Sequence, residues 1–226
     1  RVISELTGDF VACLSPLSDQ AQLDAAHAAA EQLSGYFIEL LDDPDNQSAL
    51  LAGIRQRFAA SSDTDAMIAN LVGLLSQTYE ATAGLIGNAL LALIRNPQWL
   101  NDSINIDDLV AEAQRFDPSV QNTRRFVAAP CEIEGVALNT GDVILVLLAS
   151  ANRDPQLNEQ PDTFMFERPQ RRSFTFGSGR HHCPGQVLAL SIASATLTQA
   201  LASKPALDRL TWHYRPSLNG RIPLFS

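Results

Sequence analysis

Cys183 is the residue on which the chain's chemistry centres. It stands in the run Phe176-Gly177-Ser178-Gly179-Arg180-His181-His182-Cys183-Pro184-Gly185, and residues 187–201 after it are apolar and alanine-rich. Pro184 suits a first helical position, so the pattern predicts a loop that delivers a thiol to a helix N-terminus. The partial positive charge of such a terminus, helped by Arg180, favours the thiolate. Gly177 and Gly179 permit tight turns and a close backbone approach to a flat ligand, their amides can point at the sulfur, and Phe176 can cover it with an apolar ring. A buried thiolate with that support is a strongly electron-donating ligand for a metal. Two plainer readings compete: a cysteine that is only a small buried hydrophobe, and a zinc site begun by His181-His182-Cys183. Zinc normally takes a second ligand pair at short spacing, whereas Cys13, Cys131, His27 and His213 are scattered singly.

The segment resembles the heme-binding signature of the cytochrome P450 family, Phe-x-x-Gly-x-(Arg or His)-x-Cys-x-Gly, which Phe176, Gly179, His181, Cys183 and Gly185 fill without a gap. The resemblance implies a mainly α fold with a small β region and a heme b cofactor. Cys183 would be its axial ligand, His181 would meet a propionate, and Gly185 would let the next helix pass close under the porphyrin. Phe176 and Gly177 complete the cofactor-binding loop. The implied reaction is insertion of one oxygen atom from dioxygen into a hydrophobic small molecule.

Residues 65–95 read as one long helix buried on most sides. They carry one ionised side chain between their ends, Glu80, and roughly thirty helical residues at about 1.5 Å each would cross a whole domain. Ser76, Gln77, Thr78, Glu80 and Thr82 at the midpoint, without an aromatic belt or basic entering flank, argue against a membrane span. The stretch from Gln77 to Asn88 resembles the family's distal helix, which usually shows (Ala or Gly)-Gly-x-(Asp or Glu)-Thr-(Thr or Ser). Glu80 takes the acid position, and Ala81 stands where the family has an alcohol. Proton delivery is then expected from Glu80 with Thr82, ordered water or a substrate hydroxyl. A peroxide-using or substrate-assisted heme-thiolate enzyme is the alternative that Ala81, Gln77 and Thr78 open, and a non-catalytic heme-binding fragment is the one that the shorter N-terminal part opens.

Support for the cysteine loop is expected from a helix over 107–116. Glu112 and Arg115 there are one turn apart, a spacing that by itself marks only an ordinary ion pair. In order and placement they resemble the family's Glu-x-x-Arg, and Arg168 supplies the implied third member of a structural network. Residues 125–128, 131–133 and 143–148 read as strands, with turns at Glu134-Gly135 and Asn139-Thr140-Gly141-Asp142. By resemblance Arg125 pairs with a heme propionate, a role suited to a bidentate guanidinium. Residues 152–172 are expected to meander. Arg171, Arg172 and Arg180 form a basic patch in an acidic chain, suited either to docking an acidic ferredoxin-type electron donor or merely to solvent. Residues 212–214 and 221–225 read as strands joined through Asn219-Gly220, and the resemblance places Leu218 or Asn219 against substrate.

The N-terminal part is weakly diagnostic: helices over 2–14, 21–41 and 48–58, breaks at 15–19 and 42–46, and a polar turn over 59–63. A further short helix is expected near 99–103. The expected organisation is one domain, 1–226, incomplete at its N-terminus because family members are longer there. Within it, 1–62 form a helical substrate-side wall, 63–96 the long distal helix, and 97–226 the remainder. With 226 residues, 46% hydrophobic and 18% charged, the chain can bury a sizeable core. A net charge of -9 argues against nucleic acid or an anionic membrane as the main partner. Three irregularly spaced cysteines give no disulfide framework, no membrane anchor or leader is visible after Arg1, and a cytoplasmic setting is expected.

Overall fold

The computed structural model describes residues 1–15, 17–46, 48–59, 63–101 and 103–226. The chain divides into two compact units, Arg1–Glu80 and Ala81–Ser226, with the boundary inside the long helix. The first contains α1 (Val2–Ala12), α2 (Gln20–Asp42), α3 (Ala49–Ala59) and the first half of α4 (Thr64–Arg95). α2 begins at a reciprocal cap, with Asp19 accepting from the Gln22 amide and Gln22 Oε1 from the Asp19 amide. Leu6, Ala29, Leu33 and Val72 form the core of this unit, with Phe10, Phe37 and Leu75 against it. Most of the polar turn expected over 59–63 lies outside the described residues.

The second unit is built on the second half of α4, α5 (Ile106–Phe116) and α7 (Gln186–Ala202). Leu85, Ala89 and Leu93 recur every fourth residue along one face of α4, where they meet Leu109, Val110 and Ala113 of α5 and Ala193 and Leu197 of α7. Gly84 and Gly87 let the C-terminal segment lie directly on α4. A Cβ on Gly84 would stand 3.1 Å from Ile222 Cγ1, besides 2.7 Å from Ser119 Cβ, and one on Gly87 3.1 Å from Pro223 Cδ. α5 starts where Asn105 Oδ1 accepts the Asp107 and Asp108 amides, and Arg115 sits in its last turn, so cap and charge both match the helix dipole.

Among the described residues three two-stranded antiparallel sheets accompany these helices: β1 (Thr123–Phe126) with β4 (Val143–Val146), β2 (Cys131–Ile133) with β3 (Val136–Leu138), and β5 (Trp212–Tyr214) with β6 (Pro223–Phe225). Several boundaries differ from the sequence expectation. β1 starts two residues earlier than expected, and β4 ends at Val146 because the chain turns into the short α6 (Leu148–Ala151). β3 was hidden between two turns, the first of which holds Glu134 and Gly135 at φ 47° and 79°. The helix expected near 99–103 is only a 3-10 turn over Pro97–Trp99, because Asn101 Oδ1 takes the Ser103 amide in a competing local turn; residue 102 lies outside the described residues. Among the described residues no helix is long and apolar enough to cross a membrane.

Candidate active site

The cysteine loop is closed by its own backbone. The Cys183 amide donates to the Phe176 carbonyl at 2.7 Å, and the Gly177 amide to the Phe174 carbonyl at 2.8 Å. Gly177 is at φ 72°, and a Cβ there would stand 2.2 Å from the His181 carbonyl oxygen, so glycine is required for both conformation and space. Gly179, at φ 58°, faces open space and is required for conformation alone. Phe176 packs against the core of the second unit and anchors the loop. His181 and His182 are exposed and Cys183 is half-buried.

The helix does not start where the proline suggested. α7 begins at Gln186 with Gly185 as its cap residue, Pro184 and Gly185 form a turn, and the Gln186 amide donates to the Cys183 carbonyl. Cys183 thus precedes the helix by a turn, and the loop backbone presents it.

Among the described residues the most enclosed ionic group joins α5 to the segment that leads into the loop. Glu112 and Arg115 have fully buried side chains, and Arg168 is 2% exposed. Arg115 Nη2 donates to Glu112 Oε1 at 2.7 Å, Arg168 Nε to the same oxygen at 3.1 Å, and the Met165 amide joins at 3.1 Å. Arg171, assigned from sequence to a docking patch, instead turns inward, with Nε 3.0 Å from Glu112 Oε2 and Nη2 on the Phe166 carbonyl. An arginine run cannot tell an inward side chain from an outward one, and three neighbouring arginines with few nearby acids left this open. Burial by itself pushes the Glu112 carboxyl up; the hydrogen bonds from Arg115, Arg168 and Met165 and the charge of Arg115 outweigh it and hold the group below its ordinary range.

The remaining donors of these arginines go to backbone. Arg115 reaches the carbonyls of Asn152, Pro161 and Thr163, and Arg168 those of Glu159, Gln160 and Thr163. Two fully buried asparagines that sequence reasoning missed continue the support. Asn152 accepts the Phe174 amide and donates to Thr175 Oγ1, while Asn158 exchanges hydrogen bonds with the backbone of Arg172. Residues 152–178 contain no helix or strand, and these side chains fix their path into the cysteine loop.

The other expected site residues stand elsewhere. Arg125 lies on β1 and donates to Thr123 Oγ1 and the Arg124 carbonyl. Thr82 is buried and Glu80 half-buried on α4, and the Ala81 carbonyl accepts the Ser119 hydroxyl at 2.8 Å. Arg172 and Arg180 are exposed. Among the described residues no group of three or more His, Cys, Asp or Glu side chains is placed to hold a metal ion.

The cysteine loop suits a flat, apolar, iron-bearing group. Gly185 leaves the side of the sulfur open, a Cβ there lying 3.7 Å from Sγ. Val187 and Leu188, on the first turn of α7, are 78% and 57% exposed and leave apolar surface bare just past the sulfur. One soft donor beside apolar surface suits heme better than a zinc ion, which needs four ligands.

A helical core, accessory hairpins, a buried carboxylate–arginine network and a backbone-closed cysteine loop together define a heme-protein class of fold. The cytochrome P450 family model matches residues 106–203. The chain is 34% identical over 219 residues to cytochrome P450 133B1 of Xylella fastidiosa, covering 91% of this chain and 54% of that protein. It is 33% identical over 230 residues to the vitamin D(3) 25-hydroxylase of Pseudonocardia autotrophica, covering 92% and 56%. Among solved structures, CalO2 superposes with a TM-score of 0.79 at 27% identity, covering 99% of this chain and 59% of that one. The chain belongs to the cytochrome P450 family, whose members bind heme b. It spans about half the length, 54–56%, of these two curated relatives.

Proposed function

We propose that this chain is the heme-ligating portion of a monooxygenase that inserts one oxygen atom from dioxygen into a hydrophobic small molecule. The observation that carries the proposal is the cysteine loop: Gly177 makes room for the His181 carbonyl, the Phe176 carbonyl holds the Cys183 amide, and the thiol is offered beside uncovered apolar surface. Cys183 would hold the iron, with Phe176, Gly177 and Gly185 shaping the loop around it and Arg125 and His181 binding the propionates. When bound, a thiolate-ligated heme supplies oxygen activation, the sulfur's electron density favouring O–O cleavage.

The protein's own residues divide the remaining work. Glu80 and Thr82 on α4 would pass protons toward the reacting oxygen, since Ala81 offers no hydroxyl. The Glu112–Arg115–Arg168 network would keep the loop from shifting rather than take part in chemistry. Exposed Arg172 and Arg180 would receive an acidic ferredoxin-type electron donor, Arg171 being committed to Glu112. The free state of all three cysteines accords with a cytoplasmic setting. The relatives include a 25-hydroxylase and a protein named a monooxygenase, which favours oxygen insertion over peroxide use.

The test is the absorption spectrum of the heme-reconstituted, reduced chain under carbon monoxide, beside a Cys183→Ser control. A strongly red-shifted Soret band present in the parent and lost in the control is expected; a histidine-like band, or one unaffected by the substitution, overturns the assignment of Cys183.

A further inference from the structure

We infer that Thr175 is the positioning residue of Cys183: its hydroxyl replaces a missing backbone donor at the end of α5 and thereby sets the entry of the cysteine loop. The functional side of this inference rests on Cys183 being the heme ligand. Its origin lies in how α5 ends. The last carbonyls of a helix have no donor within it. That of Ala113 takes the Asp117 amide at 2.8 Å. The next, that of Gln114, falls to residue 118, which is proline and has no N–H. Gln114 is 6% exposed, so its carbonyl needs a donor from the protein. Thr175 Oγ1 donates to it at 2.5 Å, and Asn152 Nδ2 stands at the limit of hydrogen bonding, 3.5 Å away.

The same hydroxyl is gripped from a second side. Thr175 Oγ1 accepts Asn152 Nδ2 at 2.8 Å, and Asn152 Oδ1 accepts the Phe174 amide at 2.6 Å. Ser173 Oγ donates to Gln114 Oε1 at 3.2 Å. Gln114 and Asn152 thus hold three consecutive residues, 173–175. The carbonyls that follow are those that close the loop, Phe174 taking the Gly177 amide and Phe176 the Cys183 amide. One residue and one hydrogen bond separate Thr175 from the Cys183 amide.

The ionic group does not reach this far. Arg115, Arg168 and Arg171 bond carbonyls of residues 152, 159–163 and 166. Glu112 and Gln114, two positions apart on α5, therefore divide the support: the carboxylate serves the segment up to Arg171, and Gln114 serves the loop entry. A hydroxyl suits position 175 because it donates once and still accepts. Valine has nearly the same shape and does neither.

The experiment compares Thr175→Val with Thr175→Ser. In the heme-free chain, amide hydrogen exchange reads Gly177 and Cys183, with the Val127 amide, bonded to the Asp142 carbonyl at 2.9 Å, as reference. Exchange at Gly177 and Cys183 should be about tenfold faster in Thr175→Val, unchanged at Val127, and close to the parent in Thr175→Ser. After heme reconstitution, the reduced carbonyl spectrum of Thr175→Val should move intensity from the red-shifted Soret band to the histidine-like position, and Thr175→Ser should restore it. The inference is overturned by Gly177 and Cys183 amides that are unprotected in the parent, by exchange unaltered in Thr175→Val, by equal acceleration at Val127, or by Thr175→Ser behaving as Thr175→Val. A parent without the red-shifted band would refute the assignment of Cys183 alone, and the exchange data would still decide whether Thr175 holds the loop.

Discussion

Glu112→Gln removes the carboxylate charge that the guanidinium groups of Arg115, Arg168 and Arg171 share. The side chains of Glu112 and Arg115 are fully buried and that of Arg168 is 2% exposed, so solvent cannot replace the lost charge. Breaking a buried pair in this way costs about 3–5 kcal/mol, much of it from the cations left behind. For a chain of this size each kcal/mol moves the thermal midpoint by roughly 2–4 °C, which gives a drop of roughly 6–20 °C. Near-ultraviolet circular dichroism and tryptophan emission read the site directly, because Trp99 stacks on Phe164 and Phe166 within 5.1 Å, next to Met165. The acid dependence supplies a second check. The Glu112 pKa is depressed in the folded chain below its reference of 4.5. Its contribution is therefore complete above that value and is lost as pH falls through the depressed one. The Gln chain lacks this acid limb, so the two stabilities should converge on acidification. A midpoint shift under about 2 °C, or a gap that stays constant down to pH about 3, would refute the reasoning.

Gly177→Ala should cut heme incorporation sharply, because its Cβ would collide with the His181 carbonyl at 2.2 Å, whereas Gly179→Ala, which meets no atom, should lose only about 1 kcal/mol of loop stability from its positive φ; equal losses by pigment yield would argue against the steric account. Arg172→Gln and Arg180→Gln should raise the Michaelis constant for an acidic ferredoxin and flatten its salt dependence, while Arg171→Gln should lower the thermal midpoint instead, and steady-state reduction rates with melting curves separate the two. Burial raises the Asp117 pKa above its reference of 3.8 against the opposing charge of Arg221. Its contribution is therefore largest below about pH 4 and is lost as pH rises through the raised value. Asp117→Asn should accordingly narrow its stability deficit against the parent between about pH 4 and neutrality, which denaturant titrations across that range will show.

The elements that pack by periodicity were legible from residue types. α4 was anticipated to within one residue because residues 65–95 carry a single ionised side chain between their ends, and α5, expected over 107–116, starts one residue earlier at Ile106. The cysteine loop was legible as a motif, yet its mechanics were not: Pro184 suggested a helix that begins there, whereas α7 begins at Gln186, and only the lack of space beside Gly177 separates the role of that glycine from that of Gly179. β3 escaped because three residues, Val136-Ala137-Leu138, show too little alternation to signal a strand.

Arg171, Asn152 and Asn158 were missed for one shared reason, which also explains why the site has its form. Between α6 and the cysteine loop the chain has no helix or strand, so the backbone carbonyls of that segment have no ladder to join, and any that are buried need donors from elsewhere. Arginine offers the most donors on one side chain, and Arg115 and Arg168 spend theirs on the carbonyls of residues 152 and 159–163, while Arg171 takes that of Phe166. Guanidiniums drawn inside for that purpose need a counter-charge, and Glu112 is the carboxylate that α5 places among them. Asn152 and Asn158 extend the same solution, without charge, to residues 172–174. The network is thus the hydrogen-bonding complement of an irregular segment, and the segment's sequence cannot reveal it, because which carbonyls lack partners is decided only once the chain has folded.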